Sequence, residues 1–444
     1  MIFKALYRLI NVYKVCFYAQ DSKIIVEKYF FKPFYLISHL PVGFTTLIFI
    51  FTSLEIIQFS CNFAIQLFQS KVPSIVIDSY IPYLRGVLDE VLDVTYLPHS
   101  QITNETVKNA DALIVRTRTK CDARLLSGSK VKFIASATIG YDHIDAAYCA
   151  ENGIKWTNAP GCNALSVAQY MASVFSYVNR NFFELAGKTL GVVGVGAVGS
   201  KIVQLGASFG MNVLQNDPPR ARKEDPYQFV SLSEICSTSD IISFHTPLNM
   251  EGEDKTFHLA DKKFFDTLKK KPVIINAARG EVISTSALLD ALNRQGILTA
   301  VIDCWENEPD IDTELLNKTA LGTPHIAGYS AEGKANAASQ SVRSVSKFFG
   351  LGLDNWEVSN LPEPTKVDLS FVNNIEDFFL KTYNIESESN QLKNHPRLFE
   401  YLRSHYPFRR EPDAYLPQLN EIMQKQLIEQ FPLFFNQKNF KTLA

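Results

Sequence analysis

From residue 74 onward, short apolar runs alternate with longer segments in which apolar residues recur every three or four positions. The runs are rich in valine and isoleucine, as in strands that are buried on both faces of a parallel sheet. The longer segments have the period of amphipathic helices. The pattern predicts strands over residues 74–78, 112–115, 132–135, 189–195, 211–214, 241–244, 273–276 and 299–302. It predicts helices over residues 81–91, 165–183, 200–209 and 331–347.

This alternation of strand and helix is typical of an α/β fold with doubly wound parallel sheets. The long helix predicted over residues 165–183 follows a turn, NAPGCN, and leads to the next group of strands. We interpret it as a crossover into a second domain. Beyond Gly350 the composition changes, with Pro362 and Pro364 marking a linker and the remainder rich in charged and aromatic residues. This tail has no catalytic motif, and self-association is the simplest function for it.

The second group of strands opens with a glycine-rich turn. Gly194, Gly196 and Gly199 form the pattern G-x-G-x-x-G between a predicted strand and a predicted helix. Such a turn lets the backbone approach a pyrophosphate at the N-terminus of the helix. Asp217 lies 18 residues beyond Gly199, where a carboxylate accepts hydrogen bonds from an adenosine ribose. That carboxylate would repel a 2′-phosphate, so the motif predicts NAD binding in preference to NADP, although nearby Arg220 weakens this preference.

The amino-acid composition and net charge limit the classes of protein to which the chain can belong. The chain has 444 residues, 46% of them hydrophobic and 20% charged, so it can bury a core large enough for two or three domains. Its net charge of −2 gives no general attraction to nucleic acid or anionic membranes. Seven scattered cysteines without C-x-x-C spacing argue against a disulfide framework or a structural zinc site, and favour a cytoplasmic protein that binds no metal.

Residues 1–72 differ from the rest of the chain because they are crowded with aromatic and aliphatic residues. Residues 40–59 carry a single charge, Glu55, and this length matches a bilayer. A membrane anchor is therefore one interpretation. The other is an upstream extension without a function, produced by a misplaced start codon, and it is favoured because the globular pattern begins cleanly at Ser74.

Three polar side chains follow strands of the second group. Arg279 follows strand 273–276, Glu308 follows strand 299–302, and His325 follows the apolar residues around 321. Oxidation of a 2-hydroxy acid needs a base for the hydroxyl proton, and an imidazole titrates near working pH. A neighbouring carboxylate fixes its tautomer, and a guanidinium holds the substrate carboxylate. We therefore expect His325 to be the base, Glu308 its partner and Arg279 the substrate clamp.

Other residues near the strand ends are candidates for ligand contacts. His245, in SFHTP, is expected to be a wall of the cofactor pocket, and Thr246 and Asp303 are placed to touch the cofactor. In the first group of strands, Thr117 and Thr138 follow the strands at 112–115 and 132–135. Ligands in such sheets bind outside the carboxyl ends of the strands.

The segments GVVGVGAVGS, FHTPL, INAARG, DCWENEP and PHIAGY, in this order, resemble the D-isomer-specific 2-hydroxyacid dehydrogenases. Five further segments narrow the likeness to members that oxidise a phosphorylated 2-hydroxy acid: IVIDSYIPY, SATIGYDHID, APGCNALSV, NDPPRA and HIAGYSAEGKA. The resemblance begins near Ser74 and is clearest up to Lys347. It implies NAD as the hydride acceptor and a homodimer held together by the C-terminal segment.

The resemblance also implies a domain plan. A flavodoxin-like, substrate-binding lid domain would cover residues 73–166, with 331–355 returning to it. A Rossmann domain that binds NAD would cover 167–330, and a small α+β dimerisation domain 356–444. Residues 1–72 have no counterpart in the family.

Residue roles carry over by motif position. The resemblance implies that Arg279, Glu308 and His325 are catalytic, and that Thr117, Thr138 and Tyr329 contact the substrate. The implied NAD contacts, besides the three glycines, are Asp217, Thr246, Ala277, Ala278, Arg279, Asp303 and Gly328. Thr117 stands where the family usually has serine, and Arg118 where it tends to be apolar, which leaves the role of Arg118 open. The basic side chain that holds the substrate phosphate is not identified.

Two other functions remain open at this point. Within the same class, the substrate would be 3-phosphoglycerate or another 2-hydroxy acid. In a different class, the chain would be a non-catalytic NAD-sensing module, and the intact set of Arg279, Glu308 and His325 argues against that.

Overall fold

The computed structural model describes residues 72–407 and 409–435, together with two strands near the N-terminus. These strands, β1 (Cys16–Gln20) and β2 (Lys23–Glu27), pair antiparallel. Met1–Pro73 and Ser74–Ala444 form separate compact units. The apolar stretch 40–59 lies outside the described residues. Within the described part of the chain, no helix is long and apolar enough to span a bilayer.

The first sheet has five parallel strands in the order β4-β3-β5-β6-β7. They are β3 (Ser74–Asp78), β4 (Asp93–Leu97), β5 (Ala112–Val115), β6 (Phe133–Ser136) and β7 (Lys155–Thr157). The three central strands are buried apolar runs, so the sequence pattern located them within one residue. The edge strands β4 and β7 are partly exposed and more polar, and they were not predicted.

The helix predicted over residues 81–91 is wrong, because this segment forms consecutive turns. Pro82 lacks a backbone N–H, and Tyr83 and Gly86 have left-handed φ angles of 67° and 85°. Each of these features stops a right-handed helix. Three apolar residues of the segment, Ile81, Leu84 and Leu88, are nevertheless buried, at 6%, 0% and 0% exposure.

Short helices connect the strands of the first sheet, and a long helix leaves it. The short ones are α1 (Asn104–Val107), α2 (Ala123–Leu126) and α3 (Ala146–Glu151). Each begins where a side chain accepts a hydrogen bond from a free backbone N–H, as Asp145 does from Tyr148. The long helix, α4 (Ala164–Asn181), confirms the predicted crossover and is buried along most of its length.

The second sheet has six parallel strands in the order β13-β12-β11-β10-β8-β9. They are β8 (Thr189–Val193), β9 (Asn212–Asn216), β10 (Ile241–Phe244), β11 (Val273–Asn276), β12 (Thr299–Ile302) and β13 (Leu321–Gly322). The connecting helices are α5 (Gly199–Ser208), α6 (Pro218–Ala221), α7 (Leu232–Thr238), α8 (Lys262–Thr267), α9 (Thr285–Asn293) and α10 (Thr313–Lys318). The predicted α/β class with two parallel sheets is confirmed.

After the second sheet, α11 (Ala331–Phe349) returns to the first. Its buried residues Ala338, Val342 and Val345 share a hydrophobic cluster with Ile75 and Ile77 of β3. The helix begins at Ser330, whose side chain accepts from the N–H of Gly333, and ends at Gly350, which is left-handed.

The C-terminal segment contains helices α12 (Ile375–Thr382), α13 (Ile385–Asn394), α14 (Phe399–Ser404) and α15 (Glu421–Gln430). Helices α12 and α15 and the start of α13 join the core around α4, whereas Leu392 of α13 and Phe399 of α14 join a second cluster with Trp305. Phe431 lies 5.1 Å, centroid to centroid, from both Phe209 and Phe379. Such aromatic pairs contribute about 0.5–1.5 kcal/mol each beyond the area they bury. An α+β fold was expected here, but the described residues of this segment form helices and turns without a strand. The reason is that their apolar residues recur with a helical period behind asparagine caps such as Asn374 and Asn420.

The outer edge of β13 is covered by α13. The backbone N–H of Gly322 donates to the hydroxyl of Ser389 at 3.0 Å. The ammonium of Lys393 donates to the carbonyls of Thr319 and Ala320 at 2.7 and 3.1 Å. The C-terminal segment thus satisfies backbone groups at the edge of the second sheet.

Candidate active site

The predicted catalytic residues follow three neighbouring strands of the second sheet. Arg279 follows β11, Glu308 follows β12 and His325 follows β13. These strands are adjacent and parallel, so their carboxyl ends lie at the same edge of the sheet. Loops at this edge are where ligands bind in open α/β folds.

His325 and Glu308 are in direct contact. The imidazole Nδ1 lies 2.8 and 3.0 Å from the two carboxylate oxygens of Glu308. The backbone N–H of Trp305 donates to the same carboxylate at 2.9 Å. Because the neighbour of Nδ1 is an acceptor, Nδ1 carries the proton in the neutral ring, and Nε2 keeps its lone pair. The pair therefore presents a base at Nε2.

Glu308 also accepts from a residue far along the chain, Arg403 of α14, at 3.2 Å. Burial would raise the pKa of Glu308, but the charge of His325 and its hydrogen bond lower it. With further contributions from Arg403 and the N–H of Trp305, the pKa of Glu308 is held below its usual range. The carboxylate remains ionised at neutral pH and is available to the imidazole.

A buried carboxylate fixes the loop that carries His325. Asp303, 1% exposed, accepts from the hydroxyl of Thr323 at 2.6 Å and from the N–H groups of Ile326 and Ala327 at 2.8 and 3.0 Å. Its own carbonyl accepts from the N–H of His325 at 2.8 Å. These bonds hold His325 at a left-handed φ of 56°, a conformation that costs an ordinary residue about 1–3 kcal/mol. Asp303 was expected to contact the cofactor. Instead, both of its carboxylate oxygens accept hydrogen bonds from residues 323–328, the loop that carries His325, which we call the base loop after the predicted role of His325.

Arg279 connects the two sheets. Its Nε and Nη2 donate to one carboxylate oxygen of Asp142 at 3.2 and 3.1 Å, and its Nη1 donates to the carbonyl of Ala278 at 2.8 Å. Asp142 follows β6 of the first sheet and is half exposed. A Cβ built on Gly140 would lie 2.2 Å from the Arg279 guanidinium, so this loop approaches the arginine closely. The contact holds the guanidinium against a carboxylate, which is the group that a 2-hydroxy acid would offer.

The glycine turn has the shape that a dinucleotide requires. Gly194 has a φ of 87°, and a Cβ on Gly199 would lie 2.0 Å from the carbonyl oxygen of Gly194. A Cβ on Gly196 would meet no described atom within 4 Å, so open space lies beside the first turn of α5. No described side chain caps that helix, so backbone N–H groups at its start can donate hydrogen bonds to an anion.

The end of β9 stabilises the same turn. The carboxylate of Asp217 accepts from the N–H of Val195 at 2.8 Å and caps α6 by accepting from the N–H of Arg220 at 3.1 Å. Arg220 pairs with Glu224 at 2.6 Å and donates to the carbonyl of Val195. The guanidinium of Arg220, which weakened the predicted preference for NAD, therefore already has partners within its own chain.

Buried polar atoms at the end of β10 support the predicted dinucleotide site. The hydroxyl of Thr246 and Nδ1 of His245 are buried without a partner among the described residues. Burial lowers the pKa of His245 to about 3, so its ring is neutral, and Ser243 lies 2.8 Å from its Nε2. An unpaired buried hydroxyl is costly unless a ligand satisfies it. The residues present therefore fit a dinucleotide, with Ala277 and Ala278 in the adjacent loop after β11.

The three predicted substrate residues have different environments. Thr117 is exposed on the turn after β5. The hydroxyl of Thr138 donates to the carbonyl of Gly140 at 2.9 Å and lies 2.7 Å from the hydroxyl of Ser136. The phenol of Tyr329 accepts from Nε of Arg403 at 3.2 Å.

Tyr329 follows Gly328, the last of the predicted NAD contacts. A Cβ on Gly328 would lie 2.1 Å from Nδ2 of Asn163, and the side-chain oxygen of that asparagine is buried without a described partner. The backbone of the base loop thus approaches α4 closely, and an unsatisfied amide oxygen lies beside it.

Sequence reasoning missed the contacts that helix α14 makes. Arg403 lies 95 residues beyond Glu308, in a tail without a catalytic motif, and no local signal marked it. Arg118, whose role was open, pairs with Glu400 of the same helix α14. Helix α14 therefore contacts both the loop after β5 and the pair of Glu308 and His325.

The thiol of Cys304 lies beside Glu308 and His325, since its sulfur and ligand atoms of these two residues lie within 4.8 Å of one another. Burial raises the pKa of Cys304 well above its ordinary value. A protonated thiol is a poor metal ligand, and the carboxylate and imidazole already bond to each other.

Comparison with known proteins defines the class. Residues 166–327 match the family described as D-isomer specific 2-hydroxyacid dehydrogenase, NAD binding domain. The fold and the residues at its strand ends are thus those of an NAD-dependent 2-hydroxyacid dehydrogenase. The chain is 53% identical to the erythronate-4-phosphate dehydrogenase of Bacteroides fragilis over 344 residues, which cover 77% of this chain and 98% of the relative. It is 42% identical to that of Porphyromonas gingivalis over 347 residues, covering 77% and 94%. The chain belongs to the erythronate-4-phosphate dehydrogenase family.

Solved structures agree with this class. A D-lactate dehydrogenase from Aquifex aeolicus, complexed with NAD and lactic acid, has a TM-score of 0.55 at 27% identity and covers 63% of this chain and 96% of its own. An NAD-bound 3-phosphoglycerate dehydrogenase from Entamoeba histolytica also has a TM-score of 0.55, at 24% identity, and covers 66% and 100%. The latter supports the fold alone. The resemblance predicted from the motifs is confirmed.

Proposed function

We propose that this chain oxidises 4-phospho-D-erythronate to 2-oxo-3-hydroxy-4-phosphobutanoate, as a step in the biosynthesis of pyridoxal 5′-phosphate (vitamin B6). The names of its relatives support the substrate. The observation that carries the chemistry is the contact of 2.8 Å between Nδ1 of His325 and Glu308, at the same sheet edge as Arg279. An imidazole, its carboxylate partner and a guanidinium are the groups that oxidation of a 2-hydroxy acid requires.

In the proposed reaction, Nε2 of His325 takes the proton of the C2 hydroxyl while C2 loses a hydride. Glu308 keeps Nδ1 protonated and stabilises the imidazolium that forms. Arg279 exchanges Asp142 for the substrate carboxylate and, through the same guanidinium, polarises the developing carbonyl. Thr117, Thr138 and Tyr329 complete the substrate contacts.

NAD, when bound, supplies the nicotinamide that accepts the hydride. The residues that we propose to hold it are the three glycines of the turn with Asp217, the hydroxyl of Thr246, and the backbone from Ala277 to Arg279. The set also includes Asp303, which follows strand β12, and Gly328, in the loop that carries His325. The unpaired hydroxyl of Thr246 and the uncapped N-terminus of α5 support this assignment.

A group of cations near Tyr329 supports a phosphorylated substrate. The ammonium of Lys334 lies 5.1 Å from the centroid of the Tyr329 ring, and Arg403 donates to the phenol. Burial, followed by the charges of Arg409 and Arg116, lowers the pKa of Lys334 to about 8. A dianionic phosphate would relieve the repulsion among these cations.

The domain plan also becomes a proposal. We propose a lid domain at 73–166 with 331–355, an NAD-binding domain at 167–330 and a dimerisation domain at 356–444. The packing of α11 on the first sheet supports the return to the lid. Phe371 and Ile422 of the C-terminal segment are 71% and 82% exposed, as expected of side chains that a second copy would cover. Light scattering of the full chain would test the dimer.

Free, buried cysteines support a cytoplasmic location, where thiols stay reduced. Those described are Cys121, Cys149, Cys162, Cys236 and Cys304. Fractionation of cells expressing the full chain tests this location, and a chain found only in membranes would contradict it.

The test of function is NADH formation by the full chain with a panel of acids: 4-phospho-D-erythronate, 3-phosphoglycerate, D-erythronate and D-lactate. We expect the first to give the highest kcat/KM. A preference for 3-phosphoglycerate would refute the substrate, and NADH binding without turnover of any acid would favour an NAD-sensing module. His325→Ala should lower kcat by about 10²–10⁴ while NADH binding is retained, since a positioned general base is worth that much.

A further inference from the structure

A side chain from the C-terminal segment reaches the catalytic pair. Arg403 lies on α14, and its side chain is 14% exposed. Its Nη1 donates to Glu308 at 3.2 Å and its Nε donates to the phenol of Tyr329 at 3.2 Å. One planar guanidinium therefore joins the carboxylate that orients His325 to the tyrosine proposed to bind the substrate.

We propose that Arg403 is a positioning residue of the dehydrogenase reaction, which fixes the Glu308 carboxylate behind His325 and the Tyr329 ring in front of the substrate. The inference rests on the proposed role of His325 as the base. An arginine suits this task because its fork of donors has a fixed geometry, which a lysine lacks. The helix that carries it lies outside the part of the chain that matches the NAD-binding family, at residues 166–327.

The charge of Arg403 predicts the direction in which the pH profile of kcat/KM should move when the residue is replaced. Burial would lower the pKa of Arg403, but Tyr329 and Glu308 raise it, with a smaller contribution from Cys304, so it is always charged. That positive charge acts on Glu308 in opposition to the imidazolium of His325. Removing it leaves the carboxylate more available to the imidazolium, which is then harder to deprotonate.

Two substitutions separate charge from geometry. Arg403→Met removes both, so we expect the acid limb of the kcat/KM profile to move to higher pH by up to about one unit. Loss of hydrogen bonds to a charged group should lower kcat/KM on the plateau by about 10- to 100-fold. Arg403→Lys keeps the charge and cannot bridge both partners. It should leave the acid limb in place and raise KM.

The control is Arg397→Met, an exposed arginine in the turn just before α14. It should leave KM, kcat and the pH profile unchanged. NADH fluorescence should be similar for all variants, because Arg403 contacts Glu308 and Tyr329 and no residue of the glycine turn, and each variant should unfold in one cooperative thermal transition. These two measurements detect a C-terminal segment that has failed to fold.

The assay uses whichever 2-hydroxy acid the wild-type chain oxidises, so failure of the proposed substrate appears in the wild type and failure of this inference only in the variants. An acid limb of Arg403→Met that stays in place or moves to lower pH would overturn the inference. If that variant does not fold, Arg403→Lys decides, and a KM equal to that of the wild type would overturn it.

Discussion

Replacing Glu308 by glutamine tests the catalytic pair directly. The carboxylate lies 2.8 and 3.0 Å from Nδ1 of His325, and glutamine keeps its shape while removing its charge. The imidazolium of the variant loses its counter-charge and releases its proton more readily. Because oxidation needs the neutral imidazole, the acid limb of kcat/KM should move to lower pH.

The size of the shift follows from the distances and exposure. An opposite charge within about 4–6 Å shifts a titration by about 1–3 units, or roughly 1.4–4 kcal/mol. The side chains of His325 and Glu308 are 26% and 17% exposed, so solvent screens the pair and the lower half of that range applies. On the plateau, losing the charged hydrogen bond should lower kcat by roughly 10- to 100-fold.

The chain contains a matched control for this experiment. Glu306, in the same loop, lies 2.6 Å from Nε2 of His258 and accepts from the N–H of Thr285. Glu306→Gln removes the charge from a second histidine–glutamate pair and should leave the acid limb unchanged. Stopped-flow measurement of NADH formation between pH 5 and 9 gives both profiles. An acid limb of Glu308→Gln that stays in place, or moves as far in the control, would refute the reasoning.

Two further predictions concern the cofactor turn and the substrate phosphate. Gly199→Ala places a Cβ 2.0 Å from the carbonyl oxygen of Gly194, so it should lower the melting temperature and abolish NADH binding. Gly196→Ala meets no described atom and should weaken NADH binding at an unchanged melting temperature, which fluorescence titration and calorimetry distinguish. Burial, followed by the charges of Arg409 and Arg116, lowers the pKa of Lys334 to about 8, so kcat/KM for the phosphorylated acid should fall above that pH. Lys334→Arg should remain active there, and an equal fall in that variant would exclude the lysine as the cause.

Fully buried strands were predictable because their sequences are short, continuous apolar runs. β10 (Ile241–Phe244) and β12 (Thr299–Ile302) have the predicted bounds. The edge strand β4 (Asp93–Leu97) was missed because its residues are partly exposed and mixed in polarity. The false helix at 81–91 had a helical apolar pattern, but Pro82 and two left-handed residues prevented it.

The candidate site divides in a similar way. The contact between Glu308 and His325 was predictable because both follow neighbouring strands of one parallel sheet. Asp142 could not be paired with Arg279 from sequence, since their contact depends on how the two sheets face each other. Arg403 was also out of reach, because only the packing of α14 brings it to Glu308. The sequence therefore identified the candidate catalytic residues of the second sheet. It did not identify Asp142 and Arg403, which only tertiary packing brings into contact with them.

The cover over β13 has a consequence for the newly made chain. Until Ser389 and Lys393 have left the ribosome, the N–H of Gly322 in the last strand and the carbonyls of the two residues before that strand lack their native partners. Part of the apolar surface of α4 is also bare, because helix α12, which packs against it, comes later. A ribosome-bound chain from which these residues have not yet emerged therefore offers a ready template for strand addition by a neighbour. Its resistance to aggregation during synthesis therefore depends on how quickly the final helices emerge and pack.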